Sequence, residues 1–281
     1  MGSTVDLHIH TIASDGTDSP EQLLWNIQRA GITTFAVTDH DTIKSAVRMK
    51  RIIPSGIRFI KGVEFSCITA GGAKCHILGL NYDENNLDFL DALRTGDNLR
   101  HEKFHLRIKL LHDQFGITFT DDEIATLLKS PSVGKPHIAN MIVMKGLAAN
   151  KQDAIERYVN KCKTGNTRID ASFAVKAILS SGGTPVWAHP LGGEGEKDLT
   201  EQDFRRVLAE LISYGIKGLE CWYSKYTAQK CKFLTDIAER AGLLISGGSD
   251  YHGTNKAIPL GRLNADGVNI EPSRLSILRK I

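Results

Sequence analysis

Hydrophobic and polar residues alternate at the start of the chain. Val5, Leu7 and Ile9 alternate with polar positions, which is the period of a strand with one buried face. His8 and His10 would then point to the same side of that strand, one repeat apart. Because neutral histidine binds borderline divalent metals, this stretch predicts half of a metal site. Whether the site is complete depends on residues further along the chain.

Short apolar runs and amphipathic stretches continue through most of the sequence. The runs that predict further strands are 33–38, 57–63, 75–80, 184–188, 218–222 and 243–246. The amphipathic stretches that predict helices between them are 20–30, 173–179, 204–214 and 228–241. Strands that alternate with helices in this way predict an α/β fold built on βαβ units. The last segment has less pattern and is expected to pack back on the barrel.

Residues 85–166 have a different character, because no strand stands out there. The helices predicted in this region are 91–115, 121–130, 137–144 and 151–162. We therefore predict an α/β domain formed by residues 1–84 and 167–281, with residues 85–166 inserted as a helical cap. On the longest helix, the histidines and the basic residues are both interpreted as a solvated face. These residues are His101, His105, His112, Arg94, Arg100, Lys103, Arg107 and Lys109.

The composition is that of an ordinary globular protein: 281 residues, 41% hydrophobic and 24% charged. A net charge of +3 is too small to indicate nucleic-acid or membrane binding by itself. No apolar run approaches the ~20 residues of a membrane span, and the N-terminus has no signal segment. The five cysteines form no CxxC pair. Together these features predict a cytoplasmic protein with reduced, buried thiols.

Potential metal ligands occur at or just after the predicted strands, and they include six of the ten histidines. They are His8, His10, Asp15, His40, Glu64, His76, His189, Asp250 and His252. In parallel α/β folds, side chains at the strand ends meet at one edge, so we expect these residues to form a metal site. The mixture of imidazole and carboxylate suits Mn, Zn or Fe. Nine candidates imply two or three ions, a cluster suited to phosphoester hydrolysis.

The motifs around these ligands resemble those of the PHP (polymerase and histidinol phosphatase) superfamily of metal-dependent phosphoesterases. The matching stretches, in family order, are Asp6-Leu7-His8-Ile9-His10, Ser14-Asp15-Gly16, Thr38-Asp39-His40-Asp41, Gly62-Val63-Glu64, His76-Ile77-Leu78-Gly79, Ala188-His189-Pro190 and Ser249-Asp250-Tyr251-His252. The insertion is similar to the helical cap of a bacterial subgroup that includes nucleoside 3′,5′-bisphosphate phosphatases and cyclic-phosphate hydrolases.

This resemblance implies a distorted (β/α)7 barrel that holds three metals. One metal would take His8, His10, Glu64 and Asp250, a second would take Glu64, His76 and His189, and a third would take Asp15, His40 and His252. A hydroxide shared between metals would attack phosphorus in line. The implied catalytic residues are Glu64, Asp15, His40 and His252. Asp39 and Asp41 are expected to orient His40, although helix capping by Asp41 is an equal alternative.

Three features of the predicted substrate pocket depart from the subgroup. In the segment 134–139, which contains His137, Lys135 stands where arginine is common, and it lacks the bidentate fork of a guanidinium. Residues 165–168 offer no aromatic side chain to stack on a base. The glycine loop at 191–196, including Gly192 and Gly193, is either a flexible connection or a substrate contact. These departures weaken the bisphosphate-nucleotide interpretation and favour a cyclic or sugar phosphate.

The sequence therefore predicts a hydrolase for a small organophosphate, either a nucleotide or a sugar phosphate. A cyclic phosphodiesterase acting on a ribose cyclic phosphate would use the same ligands, and an exonuclease for RNA ends is a further enzymatic alternative. A metal-dependent amidohydrolase also carries His-x-His, but Asp39-His40-Asp41 fits it less well. The non-enzymatic alternative is a structural module like the PHP domains of polymerases. The expected partner is a small phosphorylated substrate, with no membrane and with nucleic acid less favoured.

Overall fold

Strands and helices alternate along most of the chain in the computed structural model, which describes residues 2–130, 132–193 and 198–281. The strands are β1 (Val5–Asp6), β2 (Thr34–Val37), β3 (Arg58–Ile68), β4 (Lys74–Leu80), β5 (Ile169–Asp170), β6 (Thr184–Ala188), β7 (Gly218–Tyr223) and β8 (Leu244–Gly248). The helices are α1 (Pro20–Ala30), α2 (Lys44–Ile52), α3 (Leu87–Phe115), α4 (Asp121–Leu127), α5 (Lys135–Met144), α6 (Lys151–Ala154), α7 (Ala171–Ser180), α8 (Glu201–Tyr214) and α9 (Ala228–Arg240). A π-helical turn, Ile155–Val159, continues α6.

Seven strands form a nearly closed barrel in the order β1-β2-β3-β4-β6-β7-β8, and β5 pairs with β3 beside this path. Backbone hydrogen bonds bring β8 back to β1: Leu7 N donates to Gly247 O at 3.2 Å, and Asp250 N donates to His8 O at 2.9 Å. Within the described parts of the chain, this closure leaves no long unpaired edge. The predicted distorted (β/α)7 barrel is confirmed.

The distortion is the direction of β4, which runs antiparallel to both β3 and β6. His76 lies near the beginning of β4, opposite Ser66 of β3 and Ala188 of β6. The interpretation of ligands at the carboxyl ends of parallel strands is therefore wrong for His76. A residue near the start of an antiparallel strand lies at the same barrel end as residues late in its parallel neighbours. His76 reaches the common site for this reason.

Some elements differ from the sequence prediction. Helix α2 was not predicted, because it is strongly polar and buries only Ser45, Ala46 and Met49. The predicted first strand extends regularly only over β1, and Ile9 then pairs with Tyr251 in an isolated bridge. Strand β5 has two residues and no sequence period. In each case the pattern is too short or too polar to indicate the element.

The long helix α3 joins the barrel to the other helices of the predicted cap. Phe89 and Ala92 in its first half belong to the barrel core, whereas Phe104 and Leu111 in its second half belong to a separate apolar cluster. That cluster also contains side chains of α4, α5 and α6, including Ile142. Helix α3 thereby holds these helices over one end of the barrel. The domain boundaries at 84/85 and 166/167 stay a prediction.

The C-terminal segment packs back on the strands, with Leu263, Leu275 and Ile277 buried against residues of β1, β2, β3, β4 and β6. All five cysteines are buried and none forms a disulfide. Among the described residues there is no helix long and apolar enough to cross a membrane.

Candidate metal centre

Nine side chains that bear potential ligand atoms converge at one end of the barrel. They come from the segments after β1, β2, β6 and β8, from the loop before α1, and from β3 and β4 themselves. They are His8, His10, Asp15, His40, Glu64, His76, His189, Asp250 and His252. The structure therefore brings together every residue that the sequence nominated. Their atoms form three overlapping groups.

The first group contains His8, His10, Glu64 and Asp250. The Nε2 atoms of His8 and His10 are 3.2 Å apart, and Glu64 Oε2 lies 3.4 Å from the former and 3.1 Å from the latter. Asp250 Oδ1 is 3.6 Å from His8 Nε2 and 3.4 Å from His10 Nε2. The carboxylates of Glu64 and Asp250 thus both face the Nε2 atoms of the two histidines.

The second group contains Glu64, His76 and His189. Glu64 Oε1 is 3.2 Å from both His76 Nδ1 and His189 Nε2, and these two ring nitrogens are 3.1 Å apart. The two carboxylate oxygens of Glu64 therefore face different groups. Glu64 Oε2 also lies 3.1 Å from His40 Nδ1. Glu64 is consequently the centre of the whole arrangement.

The third group contains Asp15, His40 and His252. Asp15 Oδ1 is 3.2 Å from His252 Nε2, and Asp15 Oδ2 is 3.9 Å from His40 Nε2. His10 adjoins this group as well, because its Nδ1 is 3.6 Å from Asp15 Oδ1. The side chain of Asp15 is 18% exposed, whereas the side chains of the other eight ligand candidates are 0–13% exposed. The third group is therefore the one nearest the open cavity.

Several of these donor atoms lack the hydrogen bonds that buried polar atoms normally form. Asp15 Oδ1, His40 Nδ1 and Glu64 Oε2 form no hydrogen bond with any described residue. They nevertheless lie 3.1 to 3.2 Å from other donor atoms. Such a distance is close to the ~3.3 Å edge of a tetrahedron around an ion 2.0–2.1 Å from nitrogen ligands. The residues present therefore fit divalent metal ions.

The ionisation of the carboxylates agrees with metal binding. Burial opposes ionisation of Glu64, but His8, His40 and His76 hold its pKa well below the ordinary value. Burial likewise opposes ionisation of Asp15, whose pKa is lowered well below its ordinary value by His252 and His40. A carboxyl group binds a metal in its deprotonated form, and the low pKa values favour that form for both Glu64 and Asp15.

The pKa values of three histidines are shifted in different directions. Burial, together with the charge of His252, lowers the pKa of His10 to about 4, and burial lowers the pKa of His40 well below its ordinary value. Burial also disfavours the charged form of His8, yet Glu220 and Glu64 raise its pKa well above the ordinary value. A cation bound beside His8 would therefore compete with a proton.

Glu220 is a supporting residue within the predicted strand 218–222, and the sequence indicated no role for it. It is buried on β7, its Oε1 is 2.9 Å from His8 Nδ1, and its Oε2 accepts the backbone N–H of His189 at 2.7 Å. A carboxylate that binds one ring nitrogen of a histidine orients the other toward a metal. No sequence signal beyond a glutamate within an apolar strand could have identified it.

Asp250 is oriented in a similar way by two residues that the sequence did not single out. Tyr223 Oη donates to Asp250 Oδ2 at 2.9 Å, and Lys256 Nζ donates to the same oxygen at 2.7 Å. Oδ1 is thereby left facing His8 and His10. The backbone of Asp250 has φ of 59°, a left-handed conformation that costs energy for a residue with a Cβ and is typical of functional sites.

Asp39 and Asp41 do not have the expected roles. Asp39 Oδ1 accepts hydrogen bonds from Thr11 N at 2.7 Å and from Ser14 Oγ at 2.6 Å, and Ser14 Oγ lies 3.2 Å from His10 Nδ1. Asp39 therefore supports the loop beside His10 and not His40. Asp41 Oδ2 accepts from Arg100 Nε at 3.0 Å. Helix capping by Asp41 is also wrong, because the residue before α2 is Ile43 and no side chain caps that helix.

The ligand groups open into a cavity of about 760 Å³ between the barrel end and the predicted cap. Seven cationic side chains of the described residues line it: Arg100, Lys103, Arg107, Lys135, Lys151, Arg168 and Lys256. The interpretation of the α3 basic residues as one solvated face is therefore wrong for Arg100, Lys103 and Arg107. Positions separated by three, four or seven residues share a helix face, and this face is turned toward the ligands. Arg94 and Lys109 are exposed, as expected.

Of the four predicted substrate-binding residues, two line this cavity and two do not. Lys135 and Gly193 line the cavity, and a Cβ on Gly193 would lie 2.9 Å from His189 Nδ1, so the loop approaches that ring closely. His137 instead accepts the backbone N–H of Gly134 through Nδ1 at 3.0 Å. Gly192 lines a smaller neighbouring cavity of about 460 Å³. The predicted loop residues 194–196 lie outside the described residues.

The histidines of α3 stay on its outer face, as predicted. The side chain of His101 is 38% exposed, that of His112 is 61% exposed, and His105 is also exposed. Within the described parts of the chain, they belong to no group of potential metal ligands.

A barrel with overlapping histidine and carboxylate groups at one end, beneath a cationic cavity, defines a metal-dependent hydrolase of phosphate esters. The PHP domain family matches residues 6–170, which is more than half of the chain. The chain belongs to this family, and it is a metal-dependent phosphoesterase. The predicted family and the predicted enzyme class are thereby confirmed, and the structural-module alternative is wrong.

The chain is similar to two enzymes with different substrates. It is 30% identical, over 269 residues, to a 5′-3′ exoribonuclease of Haemophilus influenzae, covering 93% of this chain and 94% of the relative. It is 28% identical to a phosphoribosyl 1,2-cyclic phosphate 1,2-diphosphodiesterase of Eggerthella lenta, covering 90% of this chain and 96% of the relative. Two relatives of similar identity, 30% and 28%, are thus named for different substrates, RNA and a small cyclic phosphate.

The fold is also similar to a solved structure described as a metal-dependent phosphoesterase from Bifidobacterium adolescentis. The two have a TM-score of 0.80 and 26% sequence identity, with 99% of this chain and 96% of the other covered.

Proposed function

We propose that the three ligand groups bind two or three divalent ions, of Mn, Zn or Fe, and that the chain hydrolyses a terminal phosphoester of a ribonucleotide. The observation that carries this proposal is the convergence of nine ligand side chains beneath a cavity with seven cations. Metals in such a site lower the pKa of bound water and neutralise phosphate oxygens. A cavity covered by helices accepts the end of a molecule more readily than the middle of a chain.

The proposed ligand sets follow the three groups. The first metal would be held by His8, His10, Glu64 and Asp250. The second would be held by Glu64, His76 and His189. The third would be held by Asp15, His40 and His252. The mixed imidazole and carboxylate donors support a borderline divalent metal over calcium or magnesium.

The proposed catalytic residues are Glu64, Asp15, His40 and His252, because each borders the place where the phosphate would be attacked. Asp15 and His252 are the acidic and basic groups in contact at the cavity, with 3.2 Å between Oδ1 and Nε2. Glu220 orients the His8 ring, Asp39 supports the loop beside His10, and neither takes a proton from the substrate. Lys135 and Lys256, on the cavity wall, supply positive charge for the phosphate oxygens.

A small nucleotide and the 5′ end of an RNA are both consistent with this site. The RNA substrate is favoured by the cationic cavity and by similarity to the exoribonuclease over nearly the whole chain. Phosphate backbones are bound mainly through lysine and arginine. The ribose cyclic phosphate is favoured by similarity to the cyclic phosphodiesterase alone.

A hydrolysis assay on the Mn-loaded protein, with all products resolved by chromatography, separates these substrates, because cleavage of a phosphodiester releases no inorganic phosphate. Adenosine 3′,5′-bisphosphate, a 5′-phosphorylated trinucleotide, a ribose 1,2-cyclic phosphate and p-nitrophenyl phosphate would be compared at equal concentration. We expect kcat/KM for the bisphosphate or the trinucleotide to exceed that for the cyclic phosphate by about tenfold or more, a difference of about 1.4 kcal/mol in transition-state binding. Faster hydrolysis of the cyclic phosphate would contradict the ribonucleotide substrate. Hydrolysis of none of the four would contradict the proposed function.

A further inference from the structure

Two members of the third ligand group lie on loops that hydrogen bonds join to each other. Asp15 belongs to the loop before α1, and His252 directly precedes a short 3₁₀ turn. Thr254 N in this turn donates to Thr17 Oγ1 at 2.9 Å. Asn255 Nδ2 donates to the backbone oxygen of Asp15 at 2.6 Å, and Asn255 N donates to the backbone oxygen of His252 at 3.3 Å. Asn255 therefore binds the backbone of both ligands.

Asn255 is itself bound by a helix of the predicted cap. Lys151, the first residue of α6, donates from Nζ to Asn255 Oδ1. An asparagine amide has one acceptor end and one donor end. The ammonium of Lys151 binds the acceptor end, so the donor end faces the carbonyl of Asp15. A continuous path of hydrogen bonds thus leads from α6 to a ligand of the third group.

Two further helices of the predicted cap adjoin the same ligand group. Gly134 lies at the beginning of α5, and a Cβ at this position would be 3.8 Å from Asp15 Cβ, an ordinary packing distance. On the other side of the group, Arg100 of α3 is bound to Asp41, which directly follows His40. Segments that carry third-group ligands therefore contact α3, α5 and α6.

Two supports of the other ligand groups lie instead on a strand of the barrel. Glu220 on β7 binds His8 Nδ1 and the backbone N–H of His189, and Tyr223 on the same strand donates to Asp250. Strand β7 is paired with β6 and with β8. Side chains on a paired strand are held more precisely than side chains on loops. The first and second groups thus have supports within the barrel, whereas the third is also held by the cap helices.

We propose that Asn255 and Lys151 are positioning residues for the third metal ion, and that this ion binds tightly only while α6 contacts the barrel. This inference rests on the proposed metal sites. Asn255 holds the loop of Asp15 against the turn after His252, and Lys151 makes that arrangement depend on the cap. Binding of the third ion and docking of α6 then stabilise each other, because coupling between two binding events is reciprocal. The first and second ions need no such contact.

The test is a set of Mn-binding isotherms on the full chain, with free Mn measured by its EPR signal. We expect Asn255→Ala to raise the dissociation constant of one ion by about 10- to 100-fold, the usual effect of a lost hydrogen-bond partner around a metal ligand. Lys151→Met should weaken the same ion by less, because Asn255 can still reach Asp15. The remaining ions should keep their wild-type affinity. The double variant should bind Mn like Asn255→Ala alone, because Lys151 acts through Asn255.

Matched variants distinguish positioning from a general defect. Asn269→Ala and Lys161→Met make the same chemical changes at exposed positions and should bind Mn like the wild type. Lys151→Arg keeps a donor for Asn255 and should restore the affinity that Lys151→Met loses. Hydrolysis of p-nitrophenyl phosphate by Asn255→Ala should fall at low Mn and recover at saturating Mn, since only the affinity for an ion is reduced. A merely structural defect would persist at every Mn concentration.

The outcomes separate this inference from the proposed function. Wild-type isotherms for Asn255→Ala, or an equal loss of affinity for all ions, would overturn the positioning role while the phosphoesterase stands. Wild-type binding by Lys151→Met, or additive losses in the double variant, would overturn the part of the cap. If Asn255→Ala did not fold, Lys151→Met and Lys151→Arg would decide between these results. A wild-type chain that binds less than one Mn and hydrolyses no phosphoester would instead overturn the proposed function.

Discussion

Replacement of Glu64 by glutamine should abolish most of the activity and release at least one metal ion. Glu64 Oε2 is 3.1 Å from His10 Nε2, and Glu64 Oε1 is 3.2 Å from both His76 and His189. The amide of glutamine has no charge and offers only one acceptor atom, so it cannot serve two groups. We expect kcat to fall by roughly 10³-fold or more, beyond the 10- to 100-fold effect of a supporting hydrogen-bond partner.

Two controls on the outer face of α3 distinguish this effect from a general loss of folding. Glu102→Gln makes the same chemical change at an exposed position, and His105→Ala removes an imidazole that is also exposed. Both should retain wild-type activity and metal content. Phosphate release and bound metal would be measured on the same samples. If Glu64→Gln and His105→Ala lost comparable activity, the site would have been placed wrongly.

Gly248→Ala should open the barrel closure and disrupt the first ligand group. A Cβ on Gly248 would lie 2.2 Å from His8 Cβ and 2.5 Å from His8 N, and neither atom can move without the strand. Overpacking of a core typically costs about 1–3 kcal/mol, and a backbone clash of this kind belongs at the upper end. At 2–4 °C per kcal/mol for a chain of this size class, Tm should fall by roughly 6–12 °C. Metal content should fall as well, because His8 is displaced.

Gly71→Ala is the matched control for this substitution. Its added Cβ would meet only the ends of two flexible side chains, Arg206 Nη1 and Glu210 Oε2, both at 3.1 Å. Differential scanning calorimetry should therefore find its Tm close to that of the wild type. An unchanged Tm and metal content in Gly248→Ala would contradict the close contact of β8 with β1.

The convergence of the candidate ligands could be predicted from the sequence because each candidate belongs to a short local motif near a strand. His8 and His10 alternate with apolar residues, and His189 and Asp250 follow apolar runs directly. The direction of a strand is different, since it depends on its neighbours. His76 lies beside Glu64 and His189 as predicted, although β4 runs opposite to the expected direction. The metal-binding potential of His76 was evident from the local sequence, whereas the direction of its strand was not.

The supporting residues and the cationic wall could not be predicted in the same way. Glu220 acts on His8 across 212 positions of sequence, and no pattern along the chain links them. Arg107 belongs to a helix whose charged residues lie on several faces, so periodicity did not show which face the cap turns inward. Burial of an arginine depends on packing between α3 and the other helices of the predicted cap, which no single helix specifies.

Metal analysis of the purified protein tests the central claim most directly. After incubation with Mn and removal of free ions by desalting, elemental analysis by plasma mass spectrometry would count the ions bound per chain, and p-nitrophenyl phosphate hydrolysis would be measured on the same sample. Three overlapping ligand groups predict two or three ions per chain and hydrolysis that rises with occupancy. Fewer than one ion per chain, together with no hydrolysis, would contradict the assignment of the nine side chains as the metal centre of a phosphoesterase.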